Sequence, residues 1–257
     1  MFLFAGAVCL VCSVFVASSA VALKPQQEAN KRTDRQQKVL SVAGLVKPGE
    51  KLSADQVAER FEANIVPKVI DLKTGEYAEG IDANGYDMRK AAADPATSTE
   101  APEGNPAKVM RLPEYAVIYH VVKDDEVENL ILPVHGKGLW STLYGFIALE
   151  RDTNTIAGIT FYEHGETPGL GGEVENPSWQ ALWPGRKAFD GAWAPKINVK
   201  KGAAGSVSED PHNVDGLSGA TITGRGVGYL VQFWLDQDRF GSYLANFRNQ
   251  SLKGGQG

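Results

Sequence analysis

The stretch "YAVIYHVVKDDEVENLILPVHGKGLWSTLYGFIALERDTNTIAGITFYE", residues 115–163, decides the fold class. It holds four apolar runs, "YAVIYHVV", "NLILPVHG", "LYGFIALE" and "TIAGITFYE", each rich in β-branched and aromatic residues. The polar segments "KDDEVE" and "RDTN" separate the first pair and the last pair. Successive runs joined by short polar turns predict an antiparallel meander.

Helical patterns lie on either side. In "SADQVAERFEANI", Ser53 and Gln56 fit a capping box, and Val57, Phe61 and Ile65 recur every fourth residue. An amphipathic helix ending near Pro67 is expected there, followed in "KVIDLKTGEYAEG" by a strand, a turn and a further extended piece. "NPSWQALWPG" predicts a short helix with Asn176 as cap and Pro177 at its first position. "PKINVKK" is expected to return to the sheet. In "GVGYLVQFWLDQDRF", Val227, Leu230, Val231 and Trp234 share one face, which predicts a helix over about 220–236.

Residues 1–23, "MFLFAGAVCLVCSVFVASSAVAL", carry no charged side chain. The run is long enough to cross the hydrocarbon core as a helix, and it exceeds the apolar region of a usual signal peptide. An uncleaved membrane anchor is the expectation. The basic segment that follows, "KPQQEANKRTDRQQK", would by charge alone stay on the cytoplasmic side. Cys9 and Cys12 are the only cysteines and lie inside the apolar run, where they read as small apolar filler. The rest of the chain therefore uses neither disulfides nor a thiolate nucleophile. "AAADPATSTEAPEGNPA", residues 91–107, has the composition of a flexible surface insertion.

The fold class expected is thus α+β: a single N-terminal transmembrane helix, then a mainly antiparallel sheet with flanking helices. The expected division is an anchor at 1–23, a helical stalk and flexible insertion at 24–110, and the main domain at 111–257. A net charge of −5 offers no basic field for nucleic acid, so that partner is excluded.

Three loops carry the candidate chemistry. "DGLSGATITG", residues 215–224, leads into the helix at 220–236 with the hydroxyls of Ser218, Thr221 and Thr223 and no His, Cys or Lys to activate them. A helix start leaves amides unpaired and attracts anions, and Gly216 and Gly219 permit close backbone approach. Ser218 is equally suited to capping that helix, with help from Asp215. "EHGETPGLGGE", residues 163–173, follows a strand and is glycine-rich, as is a loop that lays backbone against a planar ligand or its phosphate. "LPVHGKGLWSTLYG", residues 132–145, sets Trp140 beside glycines, where its ring can flank another ring or join the core. Neither loop has dinucleotide-fold or P-loop spacing. His135, His164 and His212 sit in separate segments and form no metal-ligand pair, so no metal site is expected. Glu163 and Glu166 flank the glycine loop and read as solvated side chains, with an influence on a nearby redox group as the other option.

"DGLSGAT", "GETPGLGG" and "LPVHGKGLWS" together resemble the signatures of the NqrC family, one of the subunits of the sodium-translocating NADH:quinone reductase. The resemblance covers nearly the whole chain. It implies that 111–257 is an FMN-binding domain and that FMN is held covalently, through a phosphoester, on Thr221. A separate flavin transferase would make that bond from FAD, with Asp215 serving its recognition. Thr167, Gly169, Leu170 and Gly171 would line the isoalloxazine, with Leu170 on a ring face. Trp140 and Ser141 would border the same pocket, and Ser218, Gly219, Ala220 and Thr223 would meet phosphate or ribityl oxygens. The resemblance further implies an electron carrier between other subunits of a membrane complex of the bacterial inner membrane, with this domain in the periplasm. That placement opposes the charge count after the anchor. The FMN-bearing member of an Rnf-type complex shares both loops and stands as an alternative, as does a membrane-anchored, non-redox binding module.

Overall fold

A computed structural model describes residues 1–47 and 49–254, with side chains described up to residue 250. Helix α1 (Phe2–Val42) is continuous through Pro25, so the apolar run and the polar segment after it form one rod. The apolar window of α1 is fully exposed, whereas Val39, Leu40 and Val42 at its end are buried against the body. Helix α2 (Ala54–Asn64) begins with the expected capping box between Ser53 and Gln56 and buries Val57 and Phe61. It stops at Asn64, earlier than the sequence suggests, because β1 (Ile65–Asp71) starts at once. Pro67 therefore lies in a strand. The sheet tolerates it because β1 is the edge strand of the sheet, next to β4 (Tyr115–Lys123), and its outer side is bridged only further along, by Ile70 to Tyr77.

The meander is as expected. After β4 come β5 (Glu126–Lys137), β6 (Thr142–Glu150) and β7 (Ile156–Glu163), each antiparallel to its predecessor, giving the order β1-β4-β5-β6-β7. Asp124 and Asp125 close the first hairpin with φ of 52° and 63°, the left-handed pair that matches strand twist. The sheet is covered on both faces, which explains why its strands read as nearly continuous apolar runs. Along β5, Leu130, Leu132 and Val134 enter one core, while Ile131 enters the other with Val39, Leu40, Val57 and Phe61 of α1 and α2.

Three expectations are corrected. Residues 91–107 are not a featureless insertion. Helix α3 (Met88–Ala93) is capped by Asp87, β2 (Ser98–Glu100) pairs with β3 (Arg111–Pro113), and Ala107 is wholly buried with its carbonyl accepting from the Lys137 amide at 2.8 Å. Short polar side chains organise this segment locally: Asn105 bonds the backbone of both Pro102 and Val109. No structural division falls at 110/111, because β1 belongs to the main sheet. After α4 (Pro177–Gln180), which is capped by Asn176 as expected, "PKINVKK" does not rejoin the sheet. Its β8 (Asn198–Val199) pairs in parallel with β9 (Asn213–Val214), forming a separate two-stranded ladder beneath the 215–220 loop.

Helix α5 (Thr221–Leu235) packs across β5, with Leu230, Val231 and Trp234 in the core. A Cβ at Gly226 would stand 2.5 Å from the Lys137 carbonyl oxygen, so only glycine lets the helix start lie this close to the end of β5. Trp234 Nε1 donates to the His135 carbonyl at 2.7 Å and fixes the register between the two elements. Helix α6 (Ser242–Gly254) adds Tyr243, Leu244 and Phe247 to the same core.

Candidate functional site

The close packing of α5 on β5 brings the three loops singled out in the sequence to one end of the sheet. Thr221 is the first residue of α5, and it is exposed. Ala220 occupies the cap position and supplies no side-chain acceptor. Ser218 is exposed and does not cap the helix, contrary to the plainer expectation for it. Among the described residues, the amides of Thr221, Ile222 and Thr223 donate to no protein acceptor, while the Gly224 amide makes the first helical bond, to Ala220. An exposed helix start of this kind is a ready site for an anion. A cavity of about 60 Å³ adjoins Thr221 and is lined by Lys200, Lys201 and Arg225, which add positive charge beside it.

Asp215 holds the approach to the helix. Its Oδ1 accepts from the Ala204 amide at 2.8 Å, and its carbonyl accepts from Trp179 Nε1 at 2.9 Å. Gly216 then bonds Gly202 through its amide at 2.8 Å. Gly219 has a φ of +71°, a conformation that turns the chain into α5 and favours glycine. A Cβ there would also press on Leu170, at 2.9 Å.

Glu166 organises the opposite side. It is 5% exposed, so the solvated reading is corrected. One carboxylate oxygen accepts from the Trp140 amide at 2.9 Å and the Ser141 amide at 3.0 Å; the other accepts from the Leu139 amide at 3.2 Å. Thr223, fully buried, donates its hydroxyl to that second oxygen at 2.6 Å. The Thr223 hydroxyl is therefore engaged inside the protein and does not face a ligand, which corrects the role expected for it. Burial would raise the Glu166 pKa, but the bonds from Thr223 and the three amides outweigh it and hold the carboxyl below its ordinary value. Sequence pattern has no signal for such a residue, since a lone Glu in a glycine-rich loop has no periodicity.

The remaining candidates line the rim. Ser141 Oγ accepts from the Gly165 amide at 2.7 Å and so ties the 137–141 loop to the glycine loop. Gly171 is buried against the carboxylate: a Cβ there would lie 2.7 Å from both Glu166 Oε2 and Thr223 Oγ1. Thr167 and Gly169 are exposed, as are Leu170 at 45% and Trp140 at 67%, so Trp140 is not a core residue. Ile222 and Leu139 add further exposed apolar surface. The histidines have separate partners. His135 packs on Tyr144 and Trp234, His164 Nδ1 accepts from the Glu166 amide, and His212 Nδ1 lies 2.9 Å from the Lys187 carbonyl.

Comparison with known proteins agrees with this arrangement. The family described as FMN-binding domain matches residues 138–236, which run from the 137–141 loop to the end of α5. The NqrC protein of the Na(+)-translocating NADH-quinone reductase of Pseudomonas aeruginosa is 49% identical over 243 residues, covering 94% of this chain and 92% of that protein. The chain belongs to the NqrC family. The NqrC protein of Vibrio anguillarum is 48% identical, over 96% of this chain and 93% of that protein. Among solved structures, that of Shewanella oneidensis NqrC superposes with a TM-score of 0.78 at 36% identity, covering 86% of this chain and 99% of that one. The corresponding protein of Parabacteroides distasonis superposes at 0.66 with 27% identity, covering 86% of this chain and 96% of that one. Membership extends the likeness beyond the loops to the sheet and helices that position them.

The residues present fit an FMN. The uncapped start of α5 and its neighbouring lysines and arginine suit a phosphate. Leu170 and Trp140 suit a flat aromatic ring, and the Thr221 hydroxyl is exposed at the first position of α5.

Proposed function

We propose that this chain is the electron-carrying NqrC component of a sodium-translocating NADH:quinone reductase, with FMN esterified through its phosphate to Thr221. The observation that carries the reading is the exposed Thr221 hydroxyl at the first position of a long helix whose leading amides have no protein acceptor among the described residues. The family membership supports it. When bound, FMN supplies the electron-transfer chemistry. The chain's own residues would hold it. The α5 start would stabilise the phosphodiester charge, Lys200, Lys201 and Arg225 would add to that field, and Thr167, Gly169, Leu170, Gly171 and Trp140 would border the ring.

The charged side chains that line the cavity beside Thr221 are the cations Lys200, Lys201 and Arg225, with no His or carboxylate among the cavity's lining residues, which accords with attachment by a separate flavin transferase using FAD. Asp215, rigid against Ala204, would present the loop to that enzyme. The apolar half of α1 would anchor the chain in the bacterial inner membrane, with the body on the periplasmic side and in contact with other subunits of the complex. A covalent tether suits a carrier in a compartment from which a loose cofactor would be lost.

The test is direct. Full-length protein made with the transferase, denatured and run on a gel, should show a flavin-fluorescent band, with the mass of FMN on the peptide containing Thr221. Thr221→Ala should be dark, and Thr223→Ala should stay fluorescent. A dark wild-type band would overturn the covalent attachment to Thr221.

A further inference from the structure

We propose that Glu166 is a positioning residue, whose buried carboxylate fixes the two apolar walls of the flavin site to the start of α5 and places an unneutralised negative charge beside it. The inference rests on the flavin reading above. Its geometric basis does not. Trp140 and Leu170 are exposed apolar side chains on two of the three loops, and backbone at the first and next to the second meets the Glu166 carboxylate. The carboxylate accepts from the amides of Leu139, Trp140 and Ser141, and Gly171, next to Leu170, packs directly on it. Thr223 ties the same carboxylate to α5. One side chain thus links all three loops.

The donor set requires a carboxylate. Each of its two oxygens faces a backbone N–H, so an amide in its place would set its own NH₂ against the Leu139 N–H. The charge this brings has no cationic partner: among the described residues, no Lys, Arg or His forms an ion pair with Glu166. Neutral donors alone stabilise it. A fixed negative charge that is itself buried, as Glu166 is at 5% exposure, opposes the addition of electrons nearby, so its presence lowers the potential of a flavin on Thr221.

The experiment uses full-length protein produced with the flavin transferase and compares wild type, Glu166→Gln, Thr223→Val and Glu163→Gln. Glu163, the exposed last residue of β7, is paired with Arg89 at 2.9 Å and serves as the control for a neutralised charge at the start of the same loop. Three quantities are measured: the midpoint potential and absorption of the bound flavin, and hydrogen exchange of the Leu139–Ser141 amides. Glu166→Gln should carry flavin with a more positive potential and an altered spectrum. Its Leu139–Ser141 amides should exchange roughly tenfold faster, the ratio that follows from losing one charge-assisted bond. Glu163→Gln should match wild type in all three.

A Glu166→Gln protein with a lower melting temperature but wild-type potential and spectrum would show a merely structural role and overturn the proposal. Should that variant fail to fold, Thr223→Val keeps the charge and the buried shape. It is expected to alter the spectrum and speed exchange at Leu139–Ser141, and wild-type values for both would overturn the proposal. Exchange measured in flavin-free Thr221→Ala separates the two ideas. Fast exchange on adding Glu166→Gln there supports the hold of Glu166 on the loop even if the flavin reading fails.

Discussion

Thr221 and Thr223 lie two positions apart and read alike in the sequence, yet the helix assigns them opposite environments. Thr221 faces solvent, and Thr223 is buried and donates to Glu166. Replacing Thr223 by Ala removes the shortest of the carboxylate's bonds and leaves its charge less satisfied, at a cost of about 1–3 kcal/mol. A melting temperature lower by several degrees, with flavin mass retained, is the expected outcome; an unchanged melting temperature would contradict the bond. The exposure of Thr221, Leu170 and Trp140 was legible to the extent that glycine-rich loops sit at surfaces. Glu166 was not legible, because its partners are backbone amides about 25 residues away and its neighbours in sequence say nothing about them.

Among the elements, the decisive contact is α5 against the end of β5. Gly226 makes it possible, and Gly226→Ala would force the helix away from the Lys137 carbonyl. Overpacking of this kind costs about 1–3 kcal/mol. Because the same contact positions Thr221, the fraction of protein carrying flavin should fall together with thermal stability; loss of stability with full flavin content would detach the contact from the site. The meander, α2 with its capping box, α4 and α5 were all readable from periodicity and caps. The segment 91–107 was misread because its small polar residues suggest a linker by composition, while in the fold they bond backbone and bury Ala107. The short β8 was misread for a related reason: two residues carry no period, and only the proximity of β9 defines their partner.

For the molecule as a whole, pH is the most informative variable. Burial holds His120 near a pKa of about 4, and burial together with Arg89 holds His135 near about 4, against an unfolded value of about 6.5. Between those values the unfolded chain takes up protons that the folded chain refuses, so stability falls as pH drops from about 6.5 toward 4. Glu166 works lower: its depressed folded pKa contributes stability above the unfolded carboxylate value and loses it as pH falls through the folded one. Thermal melts should therefore be flat from about pH 8 to 7 and decline steadily from about pH 6.5 to 5. His135→Phe, which retains stacking on Tyr144 and Trp234, should flatten part of that decline. A melting temperature that rises toward about pH 5 would refute the assignment. Removal of residues 1–23 should move the protein from the membrane fraction to the soluble one, since that half of α1 touches nothing else in the fold.

What the sequence by itself determined is local. Apolar runs with polar turns specify strands and fourfold spacing specifies helices, because each depends on residues close together in the chain; "DGLSGAT" by itself offers two exposed-loop hydroxyls and singles out Thr221 only through its resemblance to a family signature. Only the tertiary structure decided which hydroxyl is exposed, which carboxylate is buried, and that three loops converge. Those outcomes follow from how closely α5 can approach β5, a distance set by the absence of a side chain at Gly226 and by contacts between residues far apart in sequence.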